Sequence, residues 1–308
     1  MNITLHQLKV FTVVVERKSI TRASEELNMT QPAVSIQLKN LQEQFDIALT
    51  EVIKRRIYIT DFGMELYQIA EKVLADMETI HYKALGYKGA LSGKLKVSVV
   101  STGKYVLPHF LSGFLKAHPG IDLRMDVTNR SKVIKSLQDN EVDISLVSVL
   151  PRQMELMEEI LMPNKWYLVS PKDRSVDTRG KPGKSVFKDL PLIYREEGSG
   201  TRYIMQQYFK QANITPKIGL ELASDEAVKQ AVIAGLGFSI LSILSIKNEL
   251  QQKDLKIIPI KGLPLKSSWR LIWLKKKKLS TVAQAYLDYV KREKLSIYKN
   301  NFSWIEKY

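Results

Sequence analysis

From Lys94 onward the chain alternates short β-rich runs with helical patterns, and this alternation constrains the fold more than any other feature of it. "KLKVSVVS" reads as a strand, "YVLPHFLSGFLKAHP" as a helix, "IDLRMDV" as a strand, "RSKVIKSLQDNEV" as a helix and "DISLVSV" as a strand. That is the order of a parallel α/β sheet. A second block opens at "KWYLVS" and runs through "LIYREEGSGTRYIMQQYFKQA", "DEAVKQAVIAGLGFSILS" and "LKIIPI", after which "SSWRLIWLKKKK" and "STVAQAYLDYVKREK" return a strand and a helix to the first block. Two α/β lobes joined by paired crossovers make a clamshell, and ligands of open α/β sheets lie beyond the carboxyl ends of the strands.

Before Lys94 the texture is helical. In "ASEELNMTQPAVSIQLKNLQ", Ala23 and Leu27 stand four apart, and Val34, Leu38, Leu41 and Phe45 follow at four, three and four, one buried stripe. Thr30 is placed as an N-cap and Pro32 falls in the first turn, where a missing amide hydrogen costs nothing, so the second helix starts near Gln31. Its outer face carries Pro32, Ile36, Lys39, Asn40 and Glu43, with Ala33 and Ser35 at the flanks. Small and amide side chains with one apolar residue suit a helix in a DNA major groove; an ordinary exposed helix of a small bundle fits the same spacing. The candidate base-reading set is Thr30, Gln31, Pro32, Ala33, Ser35, Ile36 and Lys39.

In "ALTEVIKRRIYITDFG", Lys54, Arg55 and Arg56 separate two short apolar segments, the pattern of a two-stranded wing whose basic tip would hold phosphates. From Asp61 to about Leu85 the apolar positions Phe62, Leu66, Ile69, Val73, Met77, Ile80 and Ala84 recur at three and four. A lone helix of that length buries its stripe most simply against a second copy, and "GYKGALSGK" after it reads as a hinge.

The formal charge of +15 favours an anionic partner. Residues 1–60 hold eight basic and six acidic side chains, whereas 261–308 hold twelve and three, including "KKKK" at 275–278, which as a charge run is first of all a solvated face. There are no cysteines, which removes disulfides, thiol nucleophiles and thiolate zinc sites. The histidines, at 6, 81, 109 and 118, show no ligand spacing, so neither a metal nor a cofactor is expected. The amino terminus lacks a basic n-region and no run approaches bilayer length, so no membrane association and a cytoplasmic location are expected.

Two segments have the chemistry of anion cradles. "VVSTGKY" places Ser101, Thr102, Gly103 and Lys104 where a strand gives way to a helix, joining hydroxyls, free amides and an ammonium. A Walker loop is disfavoured, because Tyr105 follows Lys104 and no glycine lies five residues before Gly103. "REEGSGTR" repeats the logic with Arg195, Gly198, Ser199, Gly200, Thr201 and Arg202, although a plain capped turn fits the same residues. Asn129 and Arg130, at a strand end, reach the same cleft. Asp225 reads as a helix cap, and Gly235 and Gly237 as helix-end and close-packing glycines. An enzyme or solute binder on this scaffold is the competing class, but it would need a nucleophile and base, a metal cluster or an export signal.

Over Ile3 to Leu295 the residues just quoted resemble LysR-type transcriptional regulators. "SITRASEELNMTQPAVSIQLKNLQEQFDIALTEV" with its basic turn and "TDFG" resembles their winged helix-turn-helix. "VVSTGKYVLPHFLSGFLKAHPGIDLRMDVTNR", "REEGSGTR" and "SDEAVKQAVIAGLGFSILS" resemble the branch of the RuBisCO-operon regulators and related regulators of sulfur, nitrogen and selenium metabolism. The resemblance implies a winged helix-turn-helix over 1–60, a linker helix over 61–87, and a two-lobed α/β effector domain like the periplasmic binding proteins over 88–308, with lobes 91–162 plus 265–295 and 163–264. It implies a homodimer or homotetramer on an interrupted inverted repeat of double-stranded promoter DNA, a small anionic effector, RNA polymerase as a further partner, and no catalysis. Thr50 stands where the family commonly has phenylalanine. Ser148 and Val149 occupy a crossover where the RuBisCO-operon regulators usually show glycine, which adds Ser148 to the effector set, and "SIYKNNFSWIEKY" has no family counterpart.

Overall fold

In the computed structural model the chain forms two compact units, Met1–Ala90 and Leu91–Tyr308. The structure describes residues 2–53, 56–86, 90–151, 154–174, 184–188 and 190–308.

The first unit contains α1 (Leu5–Arg17), α2 (Ile20–Leu27), α3 (Gln31–Gln42), β1 (Thr50–Ile53), β2 (Arg56–Ile59) and α4 (Asp61–Gly86). Local chemistry sets each boundary. Thr4 and Gln7 form a reciprocal capping box at α1, which stops at Lys18 in the left-handed region; Ser19 caps α2, which stops at left-handed Asn28. Thr30 caps α3 through the Ala33 amide, with Pro32 in the first turn as its sequence predicts. Val10, Val14, Ala23 and Val34 bury completely between the three helices, and Phe11, Leu41, Leu49, Leu66 and Ala70 extend the core to α4.

β1 and β2 pair antiparallel, with Ile53 opposite Arg56. Thr50 pairs with Ile59 and is half-buried, so the wing closes without the aromatic residue. Thr60 then caps α4 by accepting from the Gly63 amide at 3.0 Å. Gly63 admits no side chain, since a Cβ there would lie 2.1 Å from the Leu49 carbonyl oxygen. Gly63→Ala is expected to cost about 1–3 kcal/mol as backbone must shift to relieve the clash, read as a lower denaturant midpoint. The apolar stripe of α4 divides. Leu66 is buried and Phe62 and Val73 are half-buried, whereas Ile69, at the edge of the stripe, and Met77 and Ile80, beyond the reach of this small core, are exposed. The Ala84 side chain lies outside the described residues.

The second unit runs β3 (Ser92–Val100), a 3-10 turn Ser101–Tyr105, α5 (Leu107–Ala117), β4 (Gly120–Thr128), α6 (Arg130–Gln138), β5 (Ile144–Val147), β6 (Leu156–Pro171), β7 (Leu192–Arg195), α7 (Gly200–Ala212), β8 (Ile218–Leu222), α8 (Asp225–Ile233), β9 (Ser239–Ser242), α9 (Lys247–Gln251), β10 (Leu255–Ile257), β11 (Leu265–Leu274) and α10 (Thr281–Asn301). β3 pairs parallel with β4 and β5, and β7 with β8. The expectation of a parallel sheet throughout is corrected at the join. β11 is antiparallel to both β5 and β6, and β6 is antiparallel to β9 and β10.

"KWYLVS" is therefore not the first strand of a separate block but the second half of β6, a strand of 16 residues. Its first half pairs with the end of β11 that lies beside β5, and its second half carries β9 and β10. A register shift at Trp269/Arg270 leaves Leu161 of β6 without a partner on β11, a bulge in the long strand. One core, with Phe110, Phe114, Leu146, Trp269 and Tyr286, lies against α5 and α10 and also takes Val228 and Val232 of α8; a second, with Trp166, Phe187, Met205, Phe209 and Phe238, lies under α7. Lys277, from the lysine run, bonds the Val142 carbonyl at 2.7 Å and pairs with Asp143, so that part of the run is structural. Beyond Leu295, α10 continues to Asn301, and Phe302 and Ile305 are buried. Among the described residues no helix is long and apolar enough to cross a membrane.

Candidate functional site

Each unit has its own site. In the first, α3 buries Val34 and Leu41 and leaves Thr30, Gln31, Pro32, Ser35, Ile36 and Lys39 exposed, with Ala33 and Asn40 half-buried. Ile36 is 55 % exposed although apolar. Among the described residues Lys39 pairs only with Glu43 one turn on, at 3.7 Å and in solvent, a pair of little energetic weight that an anion can displace. Arg56 is exposed at the start of β2, while Lys54 and Arg55 lie outside the described residues. Arg17 of α1 pairs with Glu26 of α2 at the surface, while buried Val10, Val14 and Ala23 hold α3 through Val34.

In the second unit a small recess is lined by Val100, Ser101, Thr102, Asn129, Arg130, Ser148, Arg195, Ser199, Gly200, Thr201 and Asp225. Every one of these sits at the carboxyl end of a parallel strand, in the turn that follows it or in the first two residues of the next helix, after β3, β4, β5, β7 and β8. The reason is local: each strand hands over to a helix start, so hydroxyl and amide caps and free amides collect at one edge. Asn129 caps α6 by accepting from the Lys132 amide at 3.1 Å, and Ser199 caps α7 by accepting from the Arg202 amide at 3.5 Å. The residues from the two blocks of the unit touch across the recess. The Ser131 amide donates to the Gly198 carbonyl at 3.0 Å, and the Arg130 guanidinium lies 4.5 Å from the centre of the Tyr203 ring.

The two arginines of the recess differ in charge balance. Arg195, 3 % exposed, is bound by Glu196 through two bonds at 2.7 and 3.0 Å and by Asp225 at 2.5 Å, and it donates a longer bond to Ser101 at 3.5 Å. Burial opposes its charge, but the bonds to Glu196 and Asp225 outweigh that and raise its pKa above the ordinary value. Arg130 has no carboxylate partner among the described residues; it reaches only the Val149 and Leu150 carbonyls, at 3.5 and 3.4 Å. Burial lowers its pKa, with Tyr203 opposing, and a guanidinium stays protonated regardless.

The comparisons decide the family. Residues 88–294 match the LysR substrate binding domain and residues 5–64 match the bacterial regulatory helix-turn-helix protein of the lysR family. The chain belongs to the LysR family of bacterial transcriptional regulators. A RuBisCO operon transcriptional regulator of Allochromatium vinosum is 34 % identical over 95 % of this chain and 97 % of its own length, and the transcriptional activator CmpR of Synechocystis is 32 % identical over 94 % and 95 %. Among solved structures, the Synechocystis CcmR regulatory domain in complex with 2-PG is 33 % identical and covers 65 % of this chain and 97 % of that one, at TM-score 0.61. Full-length CbnR complexed with its target DNA shares the fold, with TM-score 0.69, 21 % identity and coverage of 94 % and 99 %. The LysR family consists of regulators rather than enzymes.

In this LysR-type regulator the fold gathers Ser101, Thr102, Asn129, Arg130, Ser148, Arg195, Ser199 and Thr201 around the recess and leaves out Lys104, Gly198 and Arg202. Lys104 is exposed, its ammonium 5.1 Å from the Tyr105 ring. Gly198, at φ +83°, closes the recess from outside through its carbonyl, and a Cβ there would meet Ser131 at 2.7 Å. Arg202 turns back over β7 and β8, bonding the Arg195 carbonyl at 3.0 Å and Glu221 at 2.5 Å. Asp225 does not cap α8 either. Ser224 does, accepting from the Ala227 amide at 3.0 Å, and this frees Asp225 to meet Arg195 in the recess. "SDEA" offers two capping residues, and the one signal for the other role is that a buried arginine in "REEGSGTR" needs a second carboxylate. Gly235 has φ +80° just past α8, and Gly237 lies so close to Pro191 that a Cβ would stand 2.5 Å from its carbonyl.

Proposed function

We propose that this regulator acts in the cytoplasm as a homodimer or homotetramer, reads an interrupted inverted repeat of promoter DNA with α3 and the wing, and answers to a small anionic metabolite in the recess. The division of labour is a helix-turn-helix over 1–60, a linker helix over 61–87 and an effector domain over 88–308. The observation that carries the effector reading is Arg130, a half-buried cation without a carboxylate partner among the described residues, beside the free amides at the start of α7. The exposed Ile69, Met77 and Ile80 on a 26-residue helix support self-association through α4, which would present two copies of α3 to a two-fold site. RNA polymerase is then a natural further partner at the promoter.

The likeness to RuBisCO operon regulators and to a regulatory domain holding 2-PG favours a phosphorylated carbon metabolite over the inorganic anions of sulfur or nitrogen control. Thermal unfolding of the full chain against 2-PG, sugar phosphates, NADPH, sulfate, sulfite and nitrite separates these. An anion at a hundred times its Kd adds about 2.7 kcal/mol and raises the midpoint by several degrees. A shift with sulfate or nitrite alone moves the pathway, and no shift with any of them removes the anion reading.

For the DNA unit, Ser35→Ala or Ile36→Lys is expected to change which base pairs are preferred, whereas Arg56→Ala weakens all duplexes alike and reduces the salt slope by about one. Footprints at several salt concentrations check this. Equal losses on every sequence for all three variants would take base reading away from α3.

A further inference from the structure

The family match ends at residue 294, yet the last turns of the chain are held in place by specific contacts on two sides. Phe302 is 3 % exposed, stacks on Phe110 of α5 at 6.1 Å and meets the His109 ring edge-on at 5.1 Å; Ile305 is completely buried. On the other side, Lys165 of β6 donates to the Ile305 and Tyr308 backbone oxygens at 3.4 and 2.6 Å, and the Lys247 ammonium of α9 lies 4.9 Å from the centre of the Trp304 ring. Trp304 is held for this by its own bond to the Asn301 carbonyl, and Tyr298 fixes the turn by donating to Glu306 at 3.0 Å.

α5 belongs to the block that contributes Ser101, Thr102, Asn129 and Arg130 to the recess. α9 and the second half of β6 belong to the block that contributes Arg195, Ser199 and Asp225. We propose that residues 296–308 are a strap that ties the two lobes together and sets how far the recess stands open. Its two ends differ in kind. The end on α5 is apolar and buried, and so stays fixed, whereas the end on the second lobe adds polar contacts from two half-buried lysines and is the end that lets go. Opening of the lobes breaks the Ser131 to Gly198 hydrogen bond, which spans them, and the strap opposes that opening.

Amide hydrogen exchange on the full chain tests this without any effector, so the result does not depend on the identity of the ligand. Lys165→Ala combined with Lys247→Ala is expected to speed exchange of the Ser131 amide by about fivefold or more, while amides that pair β3 with β4 inside the first lobe keep their rates. A second form lacking residues 303–308 should show the same selective change. Unchanged Ser131 exchange in both forms overturns the strap. A uniform rise across both lobes also overturns it, since the tail would then be an ordinary part of the core.

Discussion

Asp225→Ala is expected to destabilise the α/β unit by about 3 kcal/mol or more. Arg195 and Asp225 are both nearly inaccessible to water, and their 2.5 Å contact joins Glu196 in neutralising a guanidinium that burial disfavours. Removing the carboxylate leaves Glu196 as the remaining partner, so the loss should fall at the lower end of what breaking a buried pair costs. Asp225→Asn keeps an acceptor in place and should cost about half as much. A double variant, Arg195→Met with Asp225→Leu, is expected to be more stable than Asp225→Ala alone, because the 3 % exposed guanidinium is gone and the Glu196 carboxylate it leaves is 22 % exposed and can be hydrated. Urea unfolding checks the series through the midpoint at constant slope. A loss below about 1 kcal/mol for Asp225→Ala would mean that Glu196 alone satisfies Arg195, and Asp225 would then be available to a ligand.

The second large effect is expected at Arg130. Arg130→Ala should weaken binding of whichever anion raises the unfolding midpoint by about tenfold to a hundredfold, the value of one charge-assisted contact in a partly dry site. Arg202→Ala should change the same affinity far less, because that guanidinium is spent on Glu221 and the Arg195 carbonyl. Titration calorimetry with 2-PG as first probe distinguishes the two. If Arg202→Ala abolishes binding and Arg130→Ala spares it, the ligand enters from the β7–β8 side and the recess described here is not its site.

These predictions depend on contacts that lie at very different distances along the chain, and that distance explains what was legible. The caps of α3 and α7 involve residues three apart, Thr30 with Ala33 and Ser199 with Arg202, so residue type and spacing suffice to place them. The exposed face of α3 follows from a 3.6-residue period and one buried stripe, and Ile36 emerges on it in the structure as in the pattern. Strand ends that hand over to helices are equally local, which is why residue type and spacing mark Ser101 and Ser199 as parts of two polar cradles and Asn129 and Arg130 as groups at a strand end beside them.

Which arginine of that rim is free was not legible. Arg195 meets Asp225 thirty residues away and Arg202 meets Glu221 nineteen residues away, and no pattern within either segment encodes those pairings. The path of β6 is hidden for the same reason, since strand pairing is long-range and a run such as "KWYLVS" reads alike whether it begins a strand or ends one. The sequence by itself determined the helix boundaries, the exposed face of α3, the alternation of strand and helix and the family, all properties of near neighbours and their periodicity. Only the tertiary structure decided that the joins are the continuous antiparallel strands β6 and β11, that Asp225 neutralises Arg195 while Arg130 has no carboxylate partner among the described residues, and that residues beyond Leu295 touch both α5 and α9. Each of those depends on groups brought together by folding, and their energies come from burial and charge at distances that local spacing does not record.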